Sequence, residues 1–179
     1  MLESTFTLKA TDGTEVFVYE WLPEGEPRGV VQVAHGLAEH AGRYRRLAEA
    51  CTARGLAVYA DDHRGHGRTA KDGPLGYFAA EHGWRAVLDD LYRLGDHITG
   101  RHPGVPRVFF GHSMGSFLTQ QVLFERGGQL AGAVLSGCAS GGSNPLAPVG
   151  RLVARVERAR VGATKPSSLL TKMSFGDYN

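Results

Sequence analysis

The chain has 179 residues, 42% of them hydrophobic and 21% charged, a composition that suits one globular domain and excludes intrinsic disorder. A formal net charge of +2 is too mild to mark nucleic acid as the partner, and no apolar run is long enough to span a bilayer. The start, Met1-Leu-Glu-Ser-Thr-Phe, lacks the basic lead and apolar stretch of a secretory signal, so the protein is expected to be soluble and cytoplasmic.

In chain order, Thr5–Ala10 and Glu15–Trp21 alternate apolar and polar residues around the turn Thr11-Asp-Gly-Thr14, which predicts a hairpin. After a loop holding Pro23 and Pro27, Val30–Ala34 is a mostly apolar run of the kind buried on both faces of a parallel sheet. Arg43–Arg54 places Tyr44, Leu47, Ala48 and Cys51 at helical spacing, with Gly55 as the stop. Leu56–Ala60 is a second buried strand, followed by a glycine-punctuated loop to about Gly76. Gly83–Gly100 is predicted helical, with Trp84, Val87, Leu88, Leu91 and Leu94 on one face. Val108–Phe110 is the third buried strand, Ser113–Arg126 the next helix, and Leu130–Ser136 the fourth strand. Strands alternating with helices over short connections predict an α/β fold, a mostly parallel central sheet with helices on both faces and an N-terminal antiparallel hairpin. Cys51 and Cys138 lie far apart, match no metal spacing, and are read as small buried thiols. From Gly137 the rhythm breaks. Leu146–Val161 is a helix candidate with Val149, Leu152, Val153 and Val156 on one face and Arg151, Arg155 and Arg158 elsewhere. Residues 1–140 are therefore expected to form the core, and 141–179 an insertion.

The chemistry gathers around Gly111-His-Ser-Met-Gly115, a G-x-S-x-G after a buried strand and before a helix. A nucleophile on so tight a turn needs strained backbone angles, and the flanking glycines remove side chains that would clash. Ser113 would then stand above the C-terminal edge of the sheet, beside unpaired N–H groups of the helix start. The bland alternative is a helix capped by Ser113. Acyl transfer also needs donors for a developing oxyanion: the Met114 N–H, and most simply the Leu37 N–H in His35-Gly-Leu-Ala-Glu-His40, where Gly36 permits close approach. Asp61-Asp-His-Arg-Gly-His-Gly-Arg68 is dense in His and Asp, but with no further ligand cluster it reads as a compact turn, and no metal is expected. His112 is read as a bracing group, not a base.

His35-Gly-x-x-Glu-His40, Asp62-His-Arg-Gly-His-Gly67 and Gly111-His-Ser-Met-Gly115, in this order and spacing, resemble the monoacylglycerol lipase and lysophospholipase branch of the α/β-hydrolases, also labelled serine aminopeptidase S33-like. The resemblance implies the α/β-hydrolase fold and an esterase or lipase without a cofactor, whose partner is a small-molecule ester, a monoacyl lipid. Ser113 would be the nucleophile, Leu37 and Met114 the oxyanion donors, and the segment from Gly141 the beginning of a cap over the acyl pocket. That cap could touch a membrane surface.

The triad in such folds runs Ser, then an acid, then His. No histidine follows Ser113, and the later acids, Glu125, Glu157 and Asp177, do not follow a recognisable sheet strand. The chain is therefore expected to be a C-terminally truncated hydrolase, inactive as it stands, since loss of a triad member costs about 10⁴ to 10⁶ in kcat. Its last strand should present an unpaired edge. Two other outcomes stay open: an aminopeptidase or thioesterase of the same fold, or a non-catalytic remnant that meets a partner or anionic lipid through Arg151, Arg155, Arg158, Arg160 and Lys165.

Overall fold

The hairpin forms because its two strands alternate. In β1 (Leu2–Lys9) and β2 (Glu15–Leu22) the register sets Phe6 opposite Val18, and the turn closes at Gly13, whose φ of +86° suits glycine. The computed structural model describes residues 1–71, 73–138 and 147–176. Four further strands complete the described sheet: β3 (Gly29–Ala34), β4 (Leu56–Asp61), β5 (Arg107–His112) and β6 (Gly132–Ser136). The order is β1-β2-β4-β3-β5-β6, with β4, β3, β5 and β6 parallel and β2 antiparallel to β4. This is the predicted α/β architecture.

Side-chain alternation on the buried strands sorts the core into two faces. Val58 and Ala60 of β4 join Trp21, Val33 and Ala48 under α1 (Arg45–Thr52). Ala57 and Tyr59 point the other way, to Leu94 and Ile98 of α3 (Gly83–Arg101). On that same face α3 and α4 (Met114–Arg126) pack Val87, Leu88, Leu91, Leu118 and Val122 around Ala34 and Phe109. Each large side chain buried here contributes about 1.5–3 kcal/mol.

Several local expectations need correction. The first predicted helix opens as a 3-10 turn, Ala41–Tyr44, because Asp62 Oδ1 takes the Ala41 N–H at 2.7 Å. A four-residue helix, α2 (Gly67–Ala70), lies in the loop read as irregular; its Arg68 N–H is held by Asp62 Oδ2 at 2.7 Å. β6 is the expected edge of the described sheet, and its apolar run is less buried than that of the other parallel strands, with Val134 49% and Leu135 37% exposed. Trp84 is partly exposed at the start of α3, where its indole N–H reaches Gln121 Oε1 at 2.8 Å. The buried-thiol assignment also fails. Cys51 is half-buried and Cys138, just past the β6 edge, is exposed.

Beyond the sheet lie α5 (Ala147–Val161) and α6 (Ser168–Phe175); Leu146, predicted as a helix start, falls outside the described residues. The apolar stripe of α5 faces outward, Leu152 being 62% exposed. What turns inward is its acid. Glu157 accepts from Arg160 Nε at 2.7 Å, and Ser167, the N-cap of α6, donates to its Oε2 at 2.5 Å. The Arg160 and Ser167 bonds hold the Glu157 carboxyl down at about 2, against a weaker opposing effect of burial. A depressed folded-state carboxylate stabilises only while ionised. The clasp should thus hold above the ordinary glutamate range and weaken as pH falls toward about 2. Glu157→Ala should expose the α5–α6 connection at every pH, read as faster limited proteolysis between residues 161 and 168. No helix among the described residues is long and apolar enough to cross a membrane.

Candidate active site

Ser113 sits where β5 ends and α4 begins, at φ +51° and ψ −117°, a backbone region that side-chain-bearing residues rarely enter. The surrounding chain over-determines that strain. A Cβ at Gly115 would lie 2.0 Å from the Ala34 carbonyl oxygen, and one at Gly111 would lie 2.2 Å from Thr119 Oγ1. Both glycines therefore let the first turn of α4 cross β3 and β5 at backbone contact. The Ser113 N–H donates to Ser136 O of β6 at 2.8 Å, and its carbonyl accepts the Ser116 N–H at 2.9 Å. His112 Nδ1 lies 3.1 Å from Ser136 Oγ, a brace between the turn and β6. The Ser113 side chain is left exposed. The Met114 N–H belongs to the first turn of α4, where a helix offers no acceptor of its own.

The loop after β3 lies directly against this turn. A Cβ at Gly36 would sit 3.1 Å from Ser113 Cβ and 3.3 Å from the His112 carbonyl oxygen, a tight fit that glycine relieves, and Leu37 follows at the surface. Glu39 folds back to accept the Gly36 N–H at 2.5 Å and the Tyr44 hydroxyl at 2.8 Å.

The His- and Asp-rich stretch after β4 is the scaffold for that loop. His35 Nε2 accepts the His63 N–H at 3.0 Å, His66 Nε2 accepts the Ala38 N–H at 3.3 Å, and Asp62 Oδ1 takes the Ala41 N–H. Two loops that are separate in sequence thus close on each other through side chain to backbone bonds. Burial pushes His35 far below the ordinary histidine range, which keeps it neutral and able to accept. Burial works against a charge on its stacked neighbour His63, yet Asp61, 2.8 Å away, leaves the His63 pKa raised. Sequence reasoning treated this stretch as a compact turn and did not foresee what it holds. The one available signal was the density of hydrogen-bonding side chains between glycines.

A cavity of about 650 Å³ opens beside the two loops, bounded by Leu37, His66 and Tyr77 on one side and by Lys165 and Leu170 on the other. Leu37 is in its wall and Ser113 is not. Of the residues singled out from sequence, Ser113, Gly36 with Leu37, and Met114 come together. The acids do not join them. Glu125 is bound to Arg85 Nη1 at 2.6 Å and to the Tyr92 hydroxyl at 3.0 Å; Arg85 above all holds it down at about 2. Glu157 is spent in the α5–α6 clasp, and Asp177 lies outside the described residues. Among the described residues no histidine ring bonds Ser113 Oγ.

Both the sequence and the fold match known proteins. Residues 25–177 match the family described as "Serine aminopeptidase, S33". The chain belongs to that family. Among relatives in the family's neighbourhood, a monoacylglycerol lipase of Mycolicibacterium smegmatis is 37% identical over 153 residues, 86% of this chain and 53% of its own length. Human monoglyceride lipase is 35% identical over 124 residues, 69% of this chain and 39% of its own. The chain spans about half the length, or less, of these relatives. A thermostable carboxyl esterase from Bacillus coagulans, solved with glycerol, superposes with a TM-score of 0.74 at 29% identity, covering 92% of this chain and 56% of the esterase. A lipase in open form gives 0.79 at 28%, covering 99% and 59%. The family fold is the α/β-hydrolase fold read from the sequence.

Proposed function

We propose that Ser113 is the nucleophile of a carboxylic-ester hydrolase acting on a monoacyl lipid of the monoacylglycerol kind. The observation that carries this is an exposed serine at φ +51°, packed so close to the loop after β3 that a Cβ at Gly36 would meet its own Cβ at 3.1 Å. The relatives' names, monoacylglycerol and monoglyceride lipase, and the esterase solved with glycerol support the substrate class. Ser113 Oγ attacks the ester carbonyl carbon as its proton passes to a base. The carbonyl oxygen, now an anion, takes hydrogen bonds from the Leu37 and Met114 N–H groups, about 3–4 kcal/mol of barrier reduction for each. The alcohol leaves with a proton, giving an acyl-serine, and water releases the fatty acid. Residues 1–140 supply the core of such an enzyme, and 141–179 begin its cap, with the cavity beside Leu37 between them. Among the described residues no histidine ring reaches Ser113 Oγ to act as that base. We place the protein in the cytoplasm, with the basic side of α5 as its contact with lipid surfaces.

A fluorophosphonate probe tests the assignment. The folded chain should label slowly, about 10⁴-fold or more below a complete triad, and only at Ser113. Ser113→Ala should abolish the label. Equal labelling of Ser113→Ala, or none in folded wild type, would instead favour a non-catalytic lipid-binding role.

A further inference from the structure

His66 is buried, and the backbone engages both of its ring nitrogens. Nδ1–H donates to Arg64 O at 2.9 Å, which leaves Nε2 as the lone-pair side, and Nε2 accepts the Ala38 N–H at 3.3 Å. Ala38 stands at φ +61°, a conformation an alanine adopts only when its surroundings hold it there. It immediately follows Leu37. We propose that His66 is a positioning residue: its neutral ring holds the oxyanion loop in working shape through Ala38, and a second proton on the ring releases that loop. This rests on the assignment of the Leu37 N–H as an oxyanion donor.

The physical reason is a change of sign at one atom. An imidazolium carries N–H on both nitrogens, so Nε2 would turn a donor toward the Ala38 donor. Nothing would then oppose the return of Ala38 to ordinary backbone angles, and the peptide joining it to Leu37 would rotate with it. The groups facing His66 come from several elements. His35, with ring centroids 5.2 Å apart, and Glu39 lie on the loop after β3; Asp62 and His63 lie on its own loop; His40 and Lys165 border the shared cavity. Burial above all, and then His63, disfavour the second proton, while the bond to the Arg64 carbonyl, then Asp62 and Glu39, favour it, and the balance holds His66 below the ordinary histidine range. Above that pKa the loop is held. As pH falls through it, the hold is lost.

The test follows the Ala38 amide and the His66 ring nitrogens by NMR from about pH 8 down through the His66 midpoint, alongside fluorophosphonate labelling of Ser113. His66→Gln offers an acceptor near the Nε2 position but cannot titrate. His66→Phe keeps the bulk and offers no acceptor. In wild type the Ala38 amide should shift with the His66 midpoint and labelling should fall in step. The Gln variant should show neither change, and the Phe variant should label about tenfold slower at neutral pH, less than the loss of about 100-fold or more for a deleted donor. An Ala38 amide indifferent to the His66 titration overturns the inference, as does a Phe variant labelling at the wild-type rate. If the Phe variant does not fold, wild type against the Gln variant still decides. Should Ser113 label in none of them, the hydrolase assignment fails, and the coupling is judged on the Ala38 amide alone.

Discussion

Gly115→Ala should destabilise the fold by about 3 kcal/mol or more, the upper end of what one added methyl costs in a packed interior. The added carbon would meet the Ala34 carbonyl oxygen at 2.0 Å, the Ala34 carbonyl carbon at 2.6 Å and the His35 carbonyl oxygen at 2.8 Å. These are backbone atoms at the end of β3, which is paired on both sides, to β4 and to β5, so the strand cannot yield. The helix must move instead. That would strain the Ser113 turn and shift the loop carrying Leu37. Gly128→Ala is the control: a Cβ there meets nothing within 4 Å, so its effect should stay within about 0.5 kcal/mol. Urea unfolding measures both, with the change expected in midpoint and not in slope. A wild-type midpoint for Gly115→Ala would mean that α4 does not cross β3 at contact distance.

Features set by local chemistry were legible in the sequence. The apolar runs at Val30–Ala34, Leu56–Ala60 and Val108–Phe110 could be satisfied only by burial on both faces, and each is a central strand. The elbow was legible because two glycines around a serine, between a strand and a helix, have few other uses. Features set by long-range pairing were hidden. Ala38 carries no hint of a positive φ, because the hydrogen bond that holds it comes from His66, 28 residues away. Glu157 read only as an acid that follows no sheet strand, yet Arg160 and Ser167 make it the buried centre of a clasp. The edge position of β6 was legible only from the lack of a later strand pattern: Ala133, Val134 and Leu135 are apolar, and periodicity cannot say whether a strand has a neighbour on both sides.

Arg64→Met should cost about 3–5 kcal/mol, the loss expected when one partner of a buried ion pair is removed. Arg64 is 4% exposed and grips Asp90 of α3 with Nε at 2.5 Å and Nη2 at 3.1 Å, while its outer side reaches Asp12 and Thr14 in the hairpin turn. One side chain thus ties hairpin, loop and helix together immediately beside Gly65 and His66. The Asp12 arm contributes little, since that carboxylate is about half exposed and solvent-screened. Asp90 is the costly partner. Burial already leaves its carboxyl above the ordinary range in spite of Arg64, and without the guanidinium that push acts unopposed. A raised folded-state pKa makes the fold bind the proton more tightly than the unfolded chain, so acidification relieves the penalty. The gap between variant and wild type should therefore narrow as pH falls, and the double variant Arg64→Met/Asp90→Leu should recover most of the loss at neutral pH. A gap that is constant with pH, or a double variant no better than the single, would show that the cost lies in lost packing around the Arg64 stem. In either case the Ala38 amide should broaden in Arg64→Met, because the carbonyl of residue 64 is the acceptor that fixes the His66 tautomer.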